Sequence, residues 1–518
     1  SPTTVNGSNS CSFLNCTFGS STTAILDQPV VAATLTVQNC AFLTGAAMSA
    51  ASHANTTRLG SGNVTTTSLA DTALLAGAQS WTFTTDTTAS STGNQVIYTS
   101  ATGALINVSG NDAVGVGTAT GVPTTDINGV SRIRGVGTQY TDPGAFTTDL
   151  ITFNRKIGPF REYTTFNDAE NDVVAISTDG NLAQRNEAIV FEADAGNYTE
   201  NFTFFTGGAL TCDPTRNVTF KAEARSGHGG EFGAGANIIG SCGLQESFGV
   251  VDGLSVSPST GTASTIGTGA EGAILRNLMT YSPNSRGVQL GRGGTASNPC
   301  VVENCVSKSD SSRSFDIRSD GAPESYWRIV NCTAMATGIN QAFIVGQNST
   351  ANIIQLELIN NVVNGGTARS YYATPGPIIV ATGSNNFGPD DGSSPFPAAI
   401  QAGGQVWTTT TDTTAASTGN QIVYEAATGK MLAVSGNDAI GVATTVNVPT
   451  TDINGVSRLR GVGTQYVDPG AFTSEVNTIT KTIGIGGAAS GFDFGTFLEA
   501  EAAVDTTAIV YDSNLVKR

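Results

Sequence analysis

Five short apolar stretches, VVDGLSV, ILRNLMT, VVENCVS, RIVNCTA and ELINNVV, recur between residues 250 and 363, each with Gly or Asn at its centre. Measured from Gly253, Asn277, Asn304, Asn331 and Asn361, the intervals are 24, 27, 27 and 30 residues, and Asn15 and Asn39 are again 24 apart. A second row follows in step: RGVQLG from Arg286, RSFDIR from Arg313 and QAFIVG from Gln341. Each period therefore holds at least two short strands. A unit this small cannot bury its own apolar face, so it must stack on its neighbours. Short strands with Gly/Asn/Ser turns at this period predict an all-β chain built of right-handed parallel β-helix stacks, rising about 4.8 Å per turn. A leucine-rich array is excluded because the spacing drifts and no L-x-x-L-x-L frame holds. Asn277, Asn304, Asn331 and Asn361 fit a left-handed bend whose amides stack into a ladder.

Composition agrees. Only 13% of the 518 residues are charged and 62 are Gly, which suits many strands and turns rather than long surface helices. The net charge is −17 and Lys and Arg do not cluster, so a nucleic-acid partner is not expected. No apolar run approaches the ~20 residues of a membrane helix, and no membrane insertion is expected. The acidity suits an extracellular, cell-surface or virion surface.

A second, larger repeat overlies the first. Trp81–Phe146 aligns without a gap on Trp407–Phe472, and 49 of 66 positions are identical. The chain thus reads as about one and a half copies of a unit of ~326 residues, and as a processed piece of something longer. The expected order is the end of a first stack (1–70), a β-rich module (71–154), a capping helix with a full stack (155–396), the module again (397–480) and the start of a further repeat (481–518). The stretch FNDAENDVVAI, 166–176, is the best helical segment, placed to cover a stack end; FGTFLEAEAAV, 494–504, occupies the same place in the next copy.

The repeated run reads TTDINGVSR, then DPGAF after a short gap. Asp126, Asn128, Gly129, Arg132 and Asp142 to Phe146 carry it in the first copy, and Asp452 to Phe472 in the second. It resembles the D-x-D-G-x-x-R…D-x-G-A-[FY]-E segment that ends the stacks of right-handed parallel β-helix repeat, or "choice-of-anchor", surface proteins of bacteria and phages. Asn takes the place of the second Asp, and Thr147 and Thr473 the place of the Glu. The resemblance implies the fold, and a family that spans adhesins, anchored surface proteins, and phage fibres or tailspikes.

Within the run, turn chemistry is the favoured reading. Asp126 and Asp452 cap a turn, Gly129 and Gly455 supply positive φ, and Arg132 (or Arg134) and Arg458 pair with Asp142 and Asp468. Phe146 and Phe472 then anchor a core. The competing reading gives hard oxygen ligands for a structural calcium: Asp126, Asn128 and Asp142, with Asp452, Asn454 and Asp468. The repeated SGND at 109–112 and 435–438 is read the same way, as a turn first. No other cofactor is expected.

The stack carries one group with catalytic potential. Asp310, Asp316, Asp320 and Glu324 lie near Arg286, Arg292, Arg313 and Arg318, and Tyr326 and Trp327 follow. Glycosidases need two carboxyls about 5–9.5 Å apart, and Asp316 and Arg318 share a strand face. A solvated mixed-charge surface explains the same residues. The two His, His53 and His228, sit in loops and form no triad or zinc spacing. The eight Cys read as small core residues, with Cys300–Cys305 or Cys212–Cys242 as the conceivable bridges. The Asn-x-Ser/Thr sequons at Asn63, Asn107, Asn217 and Asn348 are chance products of composition.

Two functions follow. The first is a structural fibre, filament or adhesin of tandem β-helix repeats, self-associating and contacting cell-surface polysaccharide. The second is a polysaccharide-cleaving tailspike or lyase-like enzyme using the Asp310–Glu324 region.

Overall fold

The computed structural model describes residues 3–6, 10–19, 23–28, 33–43, 46–48, 56–65, 81–83, 97–99, 101–108, 111, 113–136, 138–177, 180–224, 227–258, 261–266, 270–319, 324–337, 341–346, 353–364, 369–373, 378–387, 406–409, 423–425, 427–432, 437, 439–459 and 467–474. They divide into two compact units. Unit 1 comprises residues 1–155, 170–191 and 206–218; unit 2 comprises residues 156–169, 192–205 and 219–518.

Unit 2 holds a parallel β-helix of three sheets, its crossovers of the kind that runs right-handed in parallel sheets. Sheet A continues through Val250–Asp252, Ile274–Arg276, Cys300–Glu303, Glu324–Val330, Ile353–Ile359 and Ile378–Ser384 to Val406–Thr409. Sheet B is built of seven strands from Gly196–Tyr198 to Val362–Asn364, and sheet C of seven from Phe202–Phe204 to Arg369–Ala373. Every pairing is parallel and in register, so like positions stack. On sheet C, Phe202 stacks inward on Cys242, and Val288, Phe315 and Phe343 stack inward in turn. In Glu324–Val330, alternation puts Ser325, Trp327 and Ile329 inside and Tyr326 and Arg328 outside. Burying a full column of such side chains at about 25 cal/mol per Å² is what stabilises a coil whose single turn has no core.

The bend from sheet A to sheet B is the expected left-handed one. Asn277, Asn304 and Asn331 have φ of 53°, 52° and 52°, and Gly253 opens the column at 70°. The last expected member is one residue off: Asn360, not Asn361, takes φ 55°, and Asn385 follows at 54°. Asn361 instead lies inside, donating to the Ile329 carbonyl and to Asn386 Oδ1, both at 2.9 Å. Two adjacent Asn made the bend ambiguous in sequence; the inner one forms a second, buried amide ladder.

The helix expected at 166–176 is present as Phe166–Ile176. Phe166 packs edge-on against Tyr198 (5.1 Å) and tilted against Phe202 (5.4 Å) at the stack's first turn. Glu200 accepts from the amides of Phe166 (2.9 Å) and Asn167 (3.0 Å), pinning the helix start with a negative charge. The second expected cap, 494–504, lies outside the described residues, as does the whole of 481–518.

Unit 1 repeats the architecture on a smaller scale. Sheets of three, four and three parallel strands stack, and Phe18 stacks on Phe42 with centroids 5.0 Å apart. A short helix, Leu182–Arg185, is capped by the Asn181 side chain and by a left-handed Asn186.

A strand of each repeated module joins a neighbouring stack. Trp81–Phe83 extends a sheet of the first stack by pairing with Arg58–Gly60. Val406–Thr409 extends sheet A by pairing with Val380–Gly383. Between 97 and 148 and between 423 and 474, the described module residues form turns and isolated antiparallel bridges, such as Thr125–Ser131 and Thr451–Ser457. Each copy packs on the bend column of the stack in its own unit.

Candidate functional site

The Asp of the repeated run builds the turn. Asp126 Oδ1 accepts from the amides of Asn128 (2.8 Å) and Val130 (2.9 Å), and Oδ2 from Thr147 (3.0 Å). Asp452 does the same with Asn454, Val456 and Thr473. Gly129 and Gly455 take φ of 80° and 77°, as expected. Burial pushes the Asp126 carboxyl up, but the three amides outweigh it and hold it below its ordinary range.

The ion pair falls on Arg134, the alternative to Arg132. Its guanidinium grips Asp142 with two bonds of 2.7 Å, both side chains wholly buried. It also donates to the carbonyls of Ala183 (3.2 Å) and Gln184 (2.8 Å), at the C-terminal end of helix Leu182–Arg185, where cations are favoured. Asp142 Oδ1 accepts further from Gly115 N (2.7 Å), and Oδ2 from Thr148 N and Oγ1 (both 2.8 Å). Burial raises this carboxyl; the Arg134 charge and these donors more than reverse it, leaving it below its ordinary range.

Arg132 and Arg458, expected as ion-pair partners, cap carbonyls instead. Arg132 donates to Thr125, Gly144 and Ala145, and Arg458 to Thr451, Asp468 and Ala471. Arg458 also donates to Asn304 Oδ1 of the bend column at 2.7 Å. Its burial brings its pKa down to about 10. Arg460, which corresponds to Arg134, lies outside the described residues.

The calcium reading does not suit this geometry. Both oxygens of Asp126, Asp142 and Asp452 are filled by N–H and O–H donors, and Asp142 already holds a guanidinium. Asn128 and Asn454 enter through their backbone amides. Among the described residues, no group of three His, Cys, Asp or Glu side chains is placed to hold a metal ion.

The bend column supplies the other half of the dock. In unit 1, Asn39 Nδ2 donates to Thr118 O (2.6 Å) and Thr118 N donates back to Asn39 Oδ1 (2.8 Å). Gly144 N donates to Asn39 O at 2.7 Å, Ala145 N to Thr17 Oγ1 at 2.8 Å, and Asn15 Nδ2 to Asp142 O at 3.4 Å. In unit 2 the set recurs. Asn360 and Thr444 exchange bonds of 2.8 and 2.9 Å, Gly470 N donates to Asn360 O at 2.6 Å, Ala471 N to Thr333 Oγ1 at 3.0 Å, and Asn331 Nδ2 to Asp468 O at 3.4 Å. Asn385 adds a bond to the Val442 carbonyl. Sequence reasoning had both partners, the ladder Asn and the DPGAF run, without the fact that they meet. The signal was a shared period: each module copy follows a run of Asn-bearing turns.

Phe472 is buried against Met279, Val306 and Met335 and anchors that dock. Phe146, expected to do the same, is only half-buried.

Three of the four stack carboxylates lie in the described residues, and each has its own partners. Asp310 accepts from Tyr281 Oη at 2.6 Å, and Glu324 from Gln355 Nε2 at 2.9 Å. Asp316 is fully buried on the outer side of sheet C under three arginines. Arg318 Nη2 lies 2.7 Å, Arg286 Nε 2.5 Å and Arg313 Nη1 3.9 Å from its Oδ2. Asp320 lies outside the described residues.

All eight Cys are free, so neither conceivable bridge forms. Cys16 and Cys40 meet on adjacent turns. The hydrogen bond with Cys40 is the main cause that brings the Cys16 thiol down to about 7, against the opposing effect of burial. His228 is buried, with Nε2 2.8 Å from Asn277 O and Nδ1 accepting from Gly230 N at 2.9 Å, an arrangement that holds it neutral. His53 and the sequon at Asn348 lie outside the described residues. Asn63 is a buried ladder amide that accepts from Cys40 N and donates to Val37 O.

No protein-family model matches the chain. No curated protein matches it either. Among solved structures it is similar to the pectate lyase Pel9A, at 14% identity and a TM-score of 0.37, over 64% of this chain and 97% of that one. It is also similar to the pectin methylesterase of Aspergillus niger, at 13% identity and a TM-score of 0.29, over 47% of this chain and 86% of that one. Likeness this low carries no argument about activity.

Proposed function

We propose that the protein is a structural, extracellular or virion-surface fibre, filament or adhesin, built of tandem β-helix stacks and presenting its sheet faces to cell-surface polysaccharide. One observation carries this reading. The residues that look like duplicated chemistry are consumed in holding each module to its stack, by matching bonds in the two units. Duplication of such a dock adds length and valency rather than a second reaction. The resemblance to β-helix surface proteins points the same way. The enzyme reading would rest on a carboxylate pair or on a carboxylate with Arg, and the Asp316 cluster is its candidate.

The test uses the full chain on acidic and neutral capsular polysaccharides. The expected outcome is binding with no release of reducing ends, and filaments or surface projections in electron micrographs of the native particle. Turnover that Asp316→Ala abolishes would overturn the reading in favour of the enzyme.

A further inference from the structure

The three arginines over Asp316 are more than one carboxylate can satisfy. Asp316 lies in Phe315–Ile317, whose Phe315 and Ile317 face the core, so its side chain points outward from sheet C. There it is covered completely, while Arg286, Arg313 and Arg318 stay 27%, 21% and 10% exposed. All three are drawn to one atom, Oδ2. Arg318 makes hydrogen bonds to it through Nε (3.2 Å) and Nη2 (2.7 Å). Arg286 Nε is close but off the hydrogen-bond axis, and its Nη1 reaches Gln289 Oε1 only at 3.4 Å. The buried Nε atoms of Arg286 and Arg313 have no hydrogen-bond partner, and neither does Asp316 Oδ1.

Buried donors of charged groups are nearly always paired, because leaving one unmet forfeits its hydration with nothing in return. Among the described residues, three positive charges face one negative charge here, in a chain whose net charge is −17. Other cations of the same unit are matched: Lys156 sits between Glu192 and Glu223, and Arg276 on Asp252. The mutual repulsion shows at Arg313. Burial is the main cause of its lowered pKa, Asp316 opposes it, and Arg286 and Arg318 add to it. Guanidinium donors that Asp316 leaves unmet, partly open to solvent, suit an incoming oxyanion, and planar guanidinium forks match carboxylate or sulfate geometry.

We infer that Arg286, Arg313 and Arg318, oriented by Asp316, form a binding site on sheet C for the carboxylate or sulfate groups of an acidic polysaccharide. Asp316 is in register with Gln289 of the preceding turn, whose side chain also faces away from the core. The choice of a polysaccharide rests on the surface role proposed above; the anion site itself rests on the unmet donors.

Calorimetric titration of the full chain tests it, with a uronate oligosaccharide, a sulfated oligosaccharide, a neutral oligosaccharide and inorganic sulfate as separate probes. The uronate or the sulfated oligomer should bind, the neutral one should not, and Arg286→Gln and Arg313→Gln should each weaken binding at least ~10-fold at an unchanged melting temperature. Which oligomer binds names the anion. Asp316→Asn gives an independent reading: the three arginines then lack their anion, the protein melts earlier, and added sulfate should restore the melting temperature more than it raises that of the wild type. Binding that survives both Arg variants, no anion binding at all, or binding of inorganic sulfate alone would each overturn the inference. The last result would leave the fibre reading standing, whereas enzymatic turnover would overturn that reading and leave the anion site intact.

Discussion

Asp142 and Asp468 occupy the same place in the two module copies and do the same work with different surroundings. Asp142 takes Gly115 N, Thr148 N and Thr148 Oγ1; Asp468 takes Gly441 N, Ser474 N and Ser474 Oγ. Thr has become Ser, and the bonds are 2.7–2.8 Å in both. A left-handed position is filled by Gly121 in one copy and by Asn447 in the other, the two residue types that tolerate it best. The hosts differ more. Asn15 and Asn39 are 24 residues apart, but their counterparts Asn331 and Asn360 are 29 apart, and both pairs present adjacent bends. What the two copies hold constant is the capping of backbone groups by Asn, Asp, Arg and Thr. What varies is the apolar fill: Phe472 is buried among Met and Val side chains, and Phe146 is half-exposed. Hydrogen bonding sets where the module docks, and hydrophobic burial adjusts how tightly.

That division can be broken experimentally, and the largest effect is expected at the buried ion pair. Arg134→Ala leaves Asp142 charged in a sealed site and should destabilise unit 1 by about 3–5 kcal/mol. Chemical denaturation followed by hydrogen exchange in unit 1 would register it. Next come the reciprocal amides. Asn39→Ala and Asn360→Ala each remove two hydrogen bonds and put Ala in a left-handed bend, at roughly 3 kcal/mol per site. Equal losses in the two units would support a shared dock; a loss in one unit only would break the comparison. Gly62→Ala should cost about 2 kcal/mol, since its φ is 64° and an added Cβ would lie 2.2 Å from Asn39 Oδ1. Gly129→Ala and Gly455→Ala, with positive φ but open space around them, should cost only about 1 kcal/mol each.

Acid should act on the same contacts. Asp126 and Asp142 titrate below their ordinary value of 3.8 in the folded protein. Between the folded and unfolded values the unfolded chain binds more protons. Their contribution is therefore complete above about pH 4 and is lost as pH falls through the folded values. A pH titration of unit 1 amide protection should show the loss beginning there, and Arg134→Ala should shrink it.

The stack was legible because its information is local and periodic. A strand of four to seven residues, a Gly or Asn, and a recurrence near 25 residues leave few alternatives to a parallel coil. The turn role of Asp126, Gly129, Asp452 and Gly455 was legible for the same reason, since Asx and Gly turns are written in four or five adjacent residues. The dock was not, because it joins residues 57 to 154 positions apart, and nothing in DPGAF says that a Thr17 or Thr333 hydroxyl waits for its amide. Arg132 and Arg134 were interchangeable in sequence; only the Ala183 and Gln184 carbonyls decide between them. Asn360 and Asn361 were likewise indistinguishable until one turned outward. The arginines near Asp316 were visible in sequence, but their unmet donors appear only once three of them converge on a single oxygen.

Amide hydrogen exchange at Thr444 and Gly470, compared between the wild type and Asn360→Ala, tests the dock most directly. Both amides donate to Asn360, one to its side chain and one to its carbonyl. The account predicts that the substitution strips protection from Thr444 and its neighbours in the module, while Thr118 and Gly144 of unit 1 keep theirs. Unchanged protection at Thr444 would contradict it.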